Sequence, residues 1–247
     1  MDKLAISGFL LAVIAVAGGF VLEGGTLTTL LHLPAFIIVV GGTIGAVMLQ
    51  TPLPQFRLGL SMLPWVLRPQ SLPMQNAVER IVNWGSSART NGFLSLESAA
   101  LEESDPFLHR GLNLLVDGVE AKVLQDTLDA ELTLERERLL RGARIFEAMG
   151  GYSPTIGIVG AVLGLIQAMA NISEPKLLGM GVATAFVATI YGVGFANLIF
   201  IPVGNKLKSL VYQHTLYHEL IVEGLVSIAQ GENPRNIERK LAAYRLG

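Results

Sequence analysis

The sequence has no cysteine and few charged residues for its length. The absence of cysteine excludes disulfides, thiolate nucleophiles and cysteine-ligated metal sites. Only 15% of the 247 residues are charged, whereas a soluble domain of this size usually carries about a quarter. The missing charge is concentrated in uncharged runs, which indicates membrane-spanning segments. The net charge of -2 gives no reason to expect a nucleic acid as partner.

Recognised enzyme motifs are also missing. The sequence contains no P-loop, no GxSxG and no HExxH motif, and it has only four histidines. His214 and His218 are spaced to bind a metal from one helix face, but a third ligand is not evident. We expect them to be surface histidines on a polar helix. The sequence therefore predicts neither an enzyme nor a bound cofactor or metal.

Four uncharged stretches are long enough to cross a bilayer, and together they predict an all-α polytopic protein. They are 4–22, 24–56, 148–173 and 177–205. Prolines at both ends of the second stretch confine its helix to about 33–50. The first stretch contains Ala15-Val16-Ala17, which fits a signal-peptide cleavage site, but its length and weakly charged start favour a retained helix.

The spans form two hairpins around a long hydrophilic segment. The predicted division is a hairpin at 1–52, a helical domain at 53–147, a second hairpin at 148–205 and a helical tail at 206–247. Of the eighteen Lys and Arg residues, only Lys176 lies in a short hairpin turn. The positive-inside rule therefore places the domain, the tail and both termini in the cytoplasm.

Helical spacing predicts helices over 71–88, 95–103 and 119–144, and an extension of span four over 206–230. Asn91-Gly92 is typical of a helix C-terminus, and Ser95 is a candidate N-cap. Arg89 and Glu97 would then lie at helix ends where the dipole favours their charges. That purely structural explanation is sufficient for both residues.

The spans contain no acidic or basic residue, and His32 is the only histidine near them. A lone histidine at this position is more often a helix-end residue than a proton relay. If the chain belongs to an ion-driven machine, another subunit must supply the titrating group. Small residues on three spans predict close helix packing, within the chain and against other chains. Pro154 and Pro202 either kink their helices or mark span ends, and spacing alone does not separate these alternatives.

Several motifs along the chain resemble those of one protein family. They are Gly18–Gly25 in the first turn, Ala88–Glu97 with the pattern A-R-x-x-G-x-x-x-L-E, Gly150–Gly160, Val187–Gly192, and Gly231–Glu238 in the tail. Together they resemble the MotA/PomA/MotC proteins, the four-span stator subunits of the bacterial flagellar motor. The PomA/MotC branch looks closer than the MotA branch.

The resemblance implies a mechanism and a set of functional residues. Five chains would surround two copies of a single-span MotB/PomB-like partner in the inner membrane, in contact with membrane lipid. The partner carries the titrating aspartate, and ion flow turns the ring against the flagellar rotor switch protein. Arg89 and Glu97 match the rotor-contact pair. Pro154, Pro202 and Thr189 match ion-path residues, and Ala161 replaces the threonine of sodium-driven members, so the expected ion is the proton.

Two alternatives remain open. An ExbB/TolQ-like energiser would resemble spans three and four but would lack the first hairpin. A self-contained channel or transporter would need a filter or a charged site inside the membrane, which is not evident.

Overall fold

The computed structural model of the chain describes residues 2–69 and 72–246, and these residues are helical almost throughout. No strand occurs among them, so the all-α prediction is confirmed. The α-helices are α1 Lys3–Leu22, α2 Leu27–Leu30, α3 Leu33–Phe36, α4 Gly42–Gln50, α5 Leu53–Leu67, α6 Met74–Asn91, α7 Glu97–Glu102, α8 Pro106–Val116, α9 Ala121–Ala170, α10 Pro175–Phe195, α11 Ile201–Ala229 and α12 Pro234–Leu241. Short 3₁₀ turns occupy Phe93–Leu96 and Ala242–Leu246, and π-helical turns occupy Ile37–Gly41 and Ala196–Phe200.

Within the described residues, four helical segments are long and apolar enough to cross a membrane. They are Lys3–Leu22, Leu33–Gln50, Ala121–Ala170 and Pro175–Ala229. About 20 helical residues cover the roughly 30 Å hydrocarbon thickness, so the first two match a span closely. The last two contain 50 and 55 residues, so each continues well beyond its apolar part. The predicted cytoplasmic extension of span four is therefore one continuous helical segment with the span.

The chain divides into two compact units. The first, here the membrane unit, contains residues 1–69 and 139–209, and the second, the helical unit, contains 70–138 and 210–247. Residues 53–69 and 139–147 thus pack with the spans in this division. The functional boundary of the cytoplasmic domain stays a prediction.

In the membrane unit, α9 and α10 pack along a seam of small residues. A Cβ built on Gly164 would lie 2.7 Å from both the backbone nitrogen of Ala185 and the carbonyl oxygen of Gly181. One built on Gly157 would lie 2.9 Å from the carbonyl oxygen of Ala188. Residues with higher numbers in α9 contact residues with lower numbers in α10, so the two helices are antiparallel. These glycines allow backbone contact within one chain.

Span two covers one side of this seam. A Cβ on Gly42 would lie 2.8 Å from Ile156, and one on Gly160 would lie 3.3 Å from Ile38. The Tyr191 hydroxyl donates to the Leu30 carbonyl and accepts the His32 backbone N–H at 3.3 Å. The His32 ring accepts from Ala35 N at 3.4 Å and so caps α3, as expected for a helix-end residue.

The helical unit is built around a single apolar cluster. Side chains from α6, α8, the start of α9, the end of α11 and α12 bury one another there. Its fully buried large members include Ile81, Leu112, Leu115, Leu124, Leu128, Leu220, Ile221, Leu225 and Ile237. The amphipathic leucine spacing of α9 and α11 explains this packing.

Two local predictions need correction. Ser95 is not an N-cap, because residues 93–96 form a 3₁₀ turn, α7 begins at Glu97, and the Ser95 hydroxyl donates to the Gly92 carbonyl at 2.7 Å. Gly92 itself ends α6 with φ +81°, a conformation that glycine adopts without strain. His218 is not a surface histidine. It is 3% exposed, because its side of α11 faces α8 rather than solvent.

Candidate functional site

Each of the four predicted ion-path residues immediately follows a residue of the seam that α9 forms with α10 and with the start of α11. A Cβ on Gly192 would lie 2.7 Å from the Ser153 carbonyl oxygen, one on Gly160 would lie 2.8 Å from the Ala188 Cβ, and one on Gly150 would lie 2.5 Å from the Ile201 side chain. The resulting pairs of seam residue and following residue are Ser153–Pro154, Gly160–Ala161, Ala188–Thr189 and Ile201–Pro202.

This register places the four residues on one side of the seam. Successive helical residues are rotated by about 100°. Because the two helices run in opposite directions, their rotations have opposite sense when viewed from one end. The residue after each seam residue therefore points toward the same side of the pair in both helices. Pro154, Ala161, Thr189 and Pro202 therefore share a surface, which we call the open face. The sequence suggested these residues one by one, and the structure brings them together.

No described part of the chain covers the open face. Thr189 and Pro202 are exposed, and Pro154 and Ala161 are half-buried. Apolar residues at equivalent positions are also exposed, including Ile158 at 59% and Phe186 at 68%. Span two occupies the opposite side, where Ile156 and Tyr191 precede seam residues.

The open face carries the Thr189 hydroxyl and no ionisable side chain. The Thr189 hydroxyl donates to the Ala185 carbonyl at 3.1 Å, so its oxygen can still accept. Ala161 offers only a methyl group at the neighbouring position. Residues 148–173 and 177–205 contain no Asp, Glu, Lys, Arg or His. The face therefore has no side chain of its own that can carry a proton.

A second polar group in the spans belongs to the other side of the seam. Thr184 is 7% exposed. Its hydroxyl donates to the Met180 carbonyl at 2.9 Å and lies 3.3 Å from Nε2 of His32. This threonine links α10 to the start of span two and does not reach the open face.

The two prolines lie inside helical segments and do not end them. α9 continues from Ala121 to Ala170 through Pro154. Pro202 is the second residue of α11, which begins directly after the π-helical turn Ala196–Phe200. Proline removes one backbone donor, and a π turn is a common local adjustment of a helix near a functional site.

Arg89 and Glu97 lie on either side of the turn that joins α6 to α7 in the helical unit. Arg89 is in the last turn of α6, and Glu97 begins α7. The connecting turn is closed by a 3.2 Å hydrogen bond between the hydroxyls of Ser87 and Ser95. Both charged residues are exposed, and neither forms an ion pair with any residue that the structure describes. Charges displayed in this way are available to another protein.

The helical unit also contains a buried polar cluster that the sequence did not suggest. Nε2 of His218 lies 3.2 Å from Asp105, and its Nδ1 lies 3.0 Å from the His214 carbonyl oxygen. Burial acts to raise the pKa of Asp105, but the hydrogen bond from His218 and the backbone N–H of Phe107 hold that pKa below its usual value. Burial and the neighbouring His218 lower the pKa of His214. Because Asp105 also caps α8, the cluster fixes α8 to α11.

Comparisons with known proteins agree over almost the whole chain. The family model described as MotA/TolQ/ExbB proton channel family matches residues 99–219, and the model described as Motility protein A N-terminal matches residues 6–83. Motility protein A of Bacillus subtilis is 33% identical over 99% of this chain and 91% of its own length. The chain belongs to the MotA family.

Solved structures of MotA-family complexes have the same fold. The structure of C. jejuni MotAB matches with a TM-score of 0.93 and 30% identity, over 99% of this chain and 96% of that chain. The flagellar MotAB stator complex from Bacillus subtilis matches with a TM-score of 0.88 and 34% identity, over 99% and 98%. Membership of the MotA family and the four apolar helices identify a multi-pass membrane protein.

Sequence reasoning missed three features of these sites. The His218–Asp105 contact joins residues 113 positions apart, so no local pattern could indicate it. The same holds for the hydrogen bond between Tyr191 and Leu30, 161 positions apart. The open face could have been found by comparing positions one after each small seam residue, once the antiparallel register was known.

Proposed function

We propose that this chain is a stator subunit of a bacterial flagellar motor. In this role it forms a ring of five copies in the inner membrane, with both termini in the cytoplasm, around a MotB/PomB-like single-span partner. Ion flow between ring and partner turns the ring, and the ring drives the rotor switch protein.

The observation that supports this role most directly is the uncharged open face. Pro154, Ala161, Thr189 and Pro202 lie on a surface that no described part of the chain covers. That surface lacks a proton carrier, which a partner with an intramembrane carboxylate would supply. An exposed apolar side of two packed spans is also the kind of surface against which a further membrane helix packs.

Ala161 supports the proton as the coupling ion. A sodium ion that sheds water needs oxygen ligands in its place. Thr189 can contribute one, whereas the Ala161 methyl cannot. A proton needs no such cage, because it can travel on the partner's carboxylate.

Arg89 and Glu97 are the proposed rotor contact. Both are exposed and without a described ion-pair partner, so their charges remain available to complementary charges on the rotor. Interactions of this kind set orientation and partner choice more than raw affinity.

The test is motility in a strain whose own stators have been deleted. Expression of this chain with its partner should restore rotation that persists without sodium and stops when a protonophore collapses the proton gradient. Rotation that depends on external sodium and resists the protonophore would contradict the proposed ion. Failure to restore rotation with any MotB-like partner would contradict the stator role itself.

An ExbB/TolQ-like energiser is the second candidate, since the matched family model includes those proteins. The match to the motility protein A N-terminal model over residues 6–83 favours the stator, because the alternative would lack the first hairpin.

A further inference from the structure

The helix α5 lies along one boundary of the spans. Its first residue, Leu53, follows the end of span two at Gln50 by only three positions. At its other end, the backbone N–H of Asp2 donates to the Leu67 carbonyl at 3.0 Å, and Asp2 is the N-cap of α1. Both ends of α5 therefore meet span ends on the same side of the membrane.

The middle of α5 packs against α9 at the same level. A Cβ on Gly59 would lie 2.9 Å from the Gly142 carbonyl oxygen, and Met62 is buried beside Gly142. Gly142 precedes the uncharged run that begins at residue 148 by six positions. The 15 residues of α5, about 22 Å long at 1.5 Å per residue, thus follow the membrane surface and do not leave it.

An apolar stripe on α5 remains uncovered. Leu53, Leu60, Leu63 and Leu67 are 55%, 43%, 37% and 50% exposed. At about 100° per residue, they fall within roughly 80° of one another on the helix surface. An exposed leucine stripe on a helix at a membrane boundary is typical of a helix that lies in the interface.

Arginines border this stripe, and they form no ion pair with a residue that the structure describes. On the same angular scale, Arg57 and Arg68 lie next to the leucine stripe, and Arg141 and Arg144 lie on the adjoining turns of α9. All four are exposed, and none forms an ion pair with a residue that the structure describes. The sequence from residue 24 to residue 78 contains no Asp or Glu.

Two acidic groups near this boundary are already paired. Asp2 lies 2.5 Å from Lys206, and Glu147 pairs with Lys208. The four arginines therefore form a mostly positive belt beside an apolar stripe, offset by Glu137, which lies four positions before Arg141 on α9. A partner that fits must present fixed negative charge directly above hydrocarbon.

We infer that α5 and the four arginines form a binding surface for anionic phospholipid. The leucine stripe enters the acyl region, and the guanidinium groups bind headgroup phosphates, which arginine recognises with paired N–H donors. Each basic residue near an anionic membrane surface contributes about 1 kcal/mol, which is about a fivefold change in the association constant. This inference goes beyond the stator role and does not depend on it.

The chain offers an internal reporter for the test. It has two tryptophans, Trp65 on α5 and Trp84 in the helical unit. In a Trp84→Phe background, fluorescence reports only on the surroundings of α5. The full-length chain is reconstituted in phosphatidylcholine bilayers containing either brominated phosphatidylglycerol or brominated phosphatidylcholine at the same mole fraction, and quenching gives the relative association of the two lipids.

We expect brominated phosphatidylglycerol to quench Trp65 more strongly, corresponding to a severalfold preference. The double substitution Arg57→Gln and Arg68→Gln should reduce that preference severalfold. The double substitution Arg57→Lys and Arg68→Lys keeps both charges and should retain most of the preference. The matched control, Arg136→Gln with Arg235→Gln, removes two exposed arginines that lie outside this belt and should leave the preference unchanged.

Two results would overturn the inference. One is equal quenching by the two brominated lipids in the protein with all its arginines, a measurement that needs no further variant. The other is a preference that survives replacement of all four belt arginines by Gln in a protein that still elutes as a folded species.

Discussion

Gly164→Ala probes a close approach between the backbones of α9 and α10. The new Cβ would lie 2.7 Å from the Ala185 nitrogen and 2.7 Å from the Gly181 carbonyl oxygen. Both atoms belong to the backbone, so neither can rotate away as a flexible side chain would. The helices must separate, and overpacking of this kind costs about 1–3 kcal/mol.

An opposing effect must be subtracted. Alanine is favoured over glycine inside a helix by about 0.5–1 kcal/mol. Gly179→Ala on α10 measures that gain alone, because nothing lies within 4 Å of the position that its Cβ would take. The two substitutions are chemically identical and differ only in what the added methyl group meets.

The assay is thermal unfolding of the detergent-purified chain, followed by intrinsic fluorescence. At about 2–4 °C per kcal/mol for a chain of this size, Gly164→Ala should lower the midpoint by several degrees relative to Gly179→Ala. Gly179→Ala should unfold at or slightly above the temperature of the unaltered chain. Equal midpoints for the two variants would refute the close backbone seam and, with it, the register that defines the open face.

Three further predictions concern function and pH. Arg89→Glu or Glu97→Arg should impair rotation while the protein still reaches the membrane, because exposed charges contribute only about 0–1 kcal/mol to stability; loss of the protein from the membrane would instead favour a structural role. Pro154→Ala and Pro202→Ala each restore a backbone donor and should give stators that assemble but turn poorly, so normal rotation in both would exclude a mechanical role for the prolines. Asp105 has a lowered pKa in the folded chain, so its contribution to stability is complete above its ordinary pKa and is lost as pH falls through the lower folded value. The melting temperature should therefore depend less steeply on pH over that acidic range in Asp105→Asn than in the unaltered chain. Equal pH dependence of the two melting temperatures would contradict the assigned hydrogen bond.

The sequence by itself determined the number of apolar helices long enough to span a membrane and the helical class. Uncharged runs of 19 residues or more have few alternatives to a membrane helix, because unpaired backbone groups are too costly in hydrocarbon. Proline positions bounded span two at 33–50, and the structure places the helix at Leu33–Gln50. Local turn chemistry placed the end of α6 at Asn91 and Gly92.

Only the tertiary structure decided which residues meet. His218 looked like a surface residue because helical spacing identifies faces but does not say which face another helix will cover. The glycines of α9 and α10 predicted close packing without a partner, and their contacts then fixed the antiparallel register. That register places Pro154, Ala161, Thr189 and Pro202 on one uncovered side. The rotation between successive residues is fixed by the helix, but whether it carries the residues of two helices to the same side depends on how the helices pair in space.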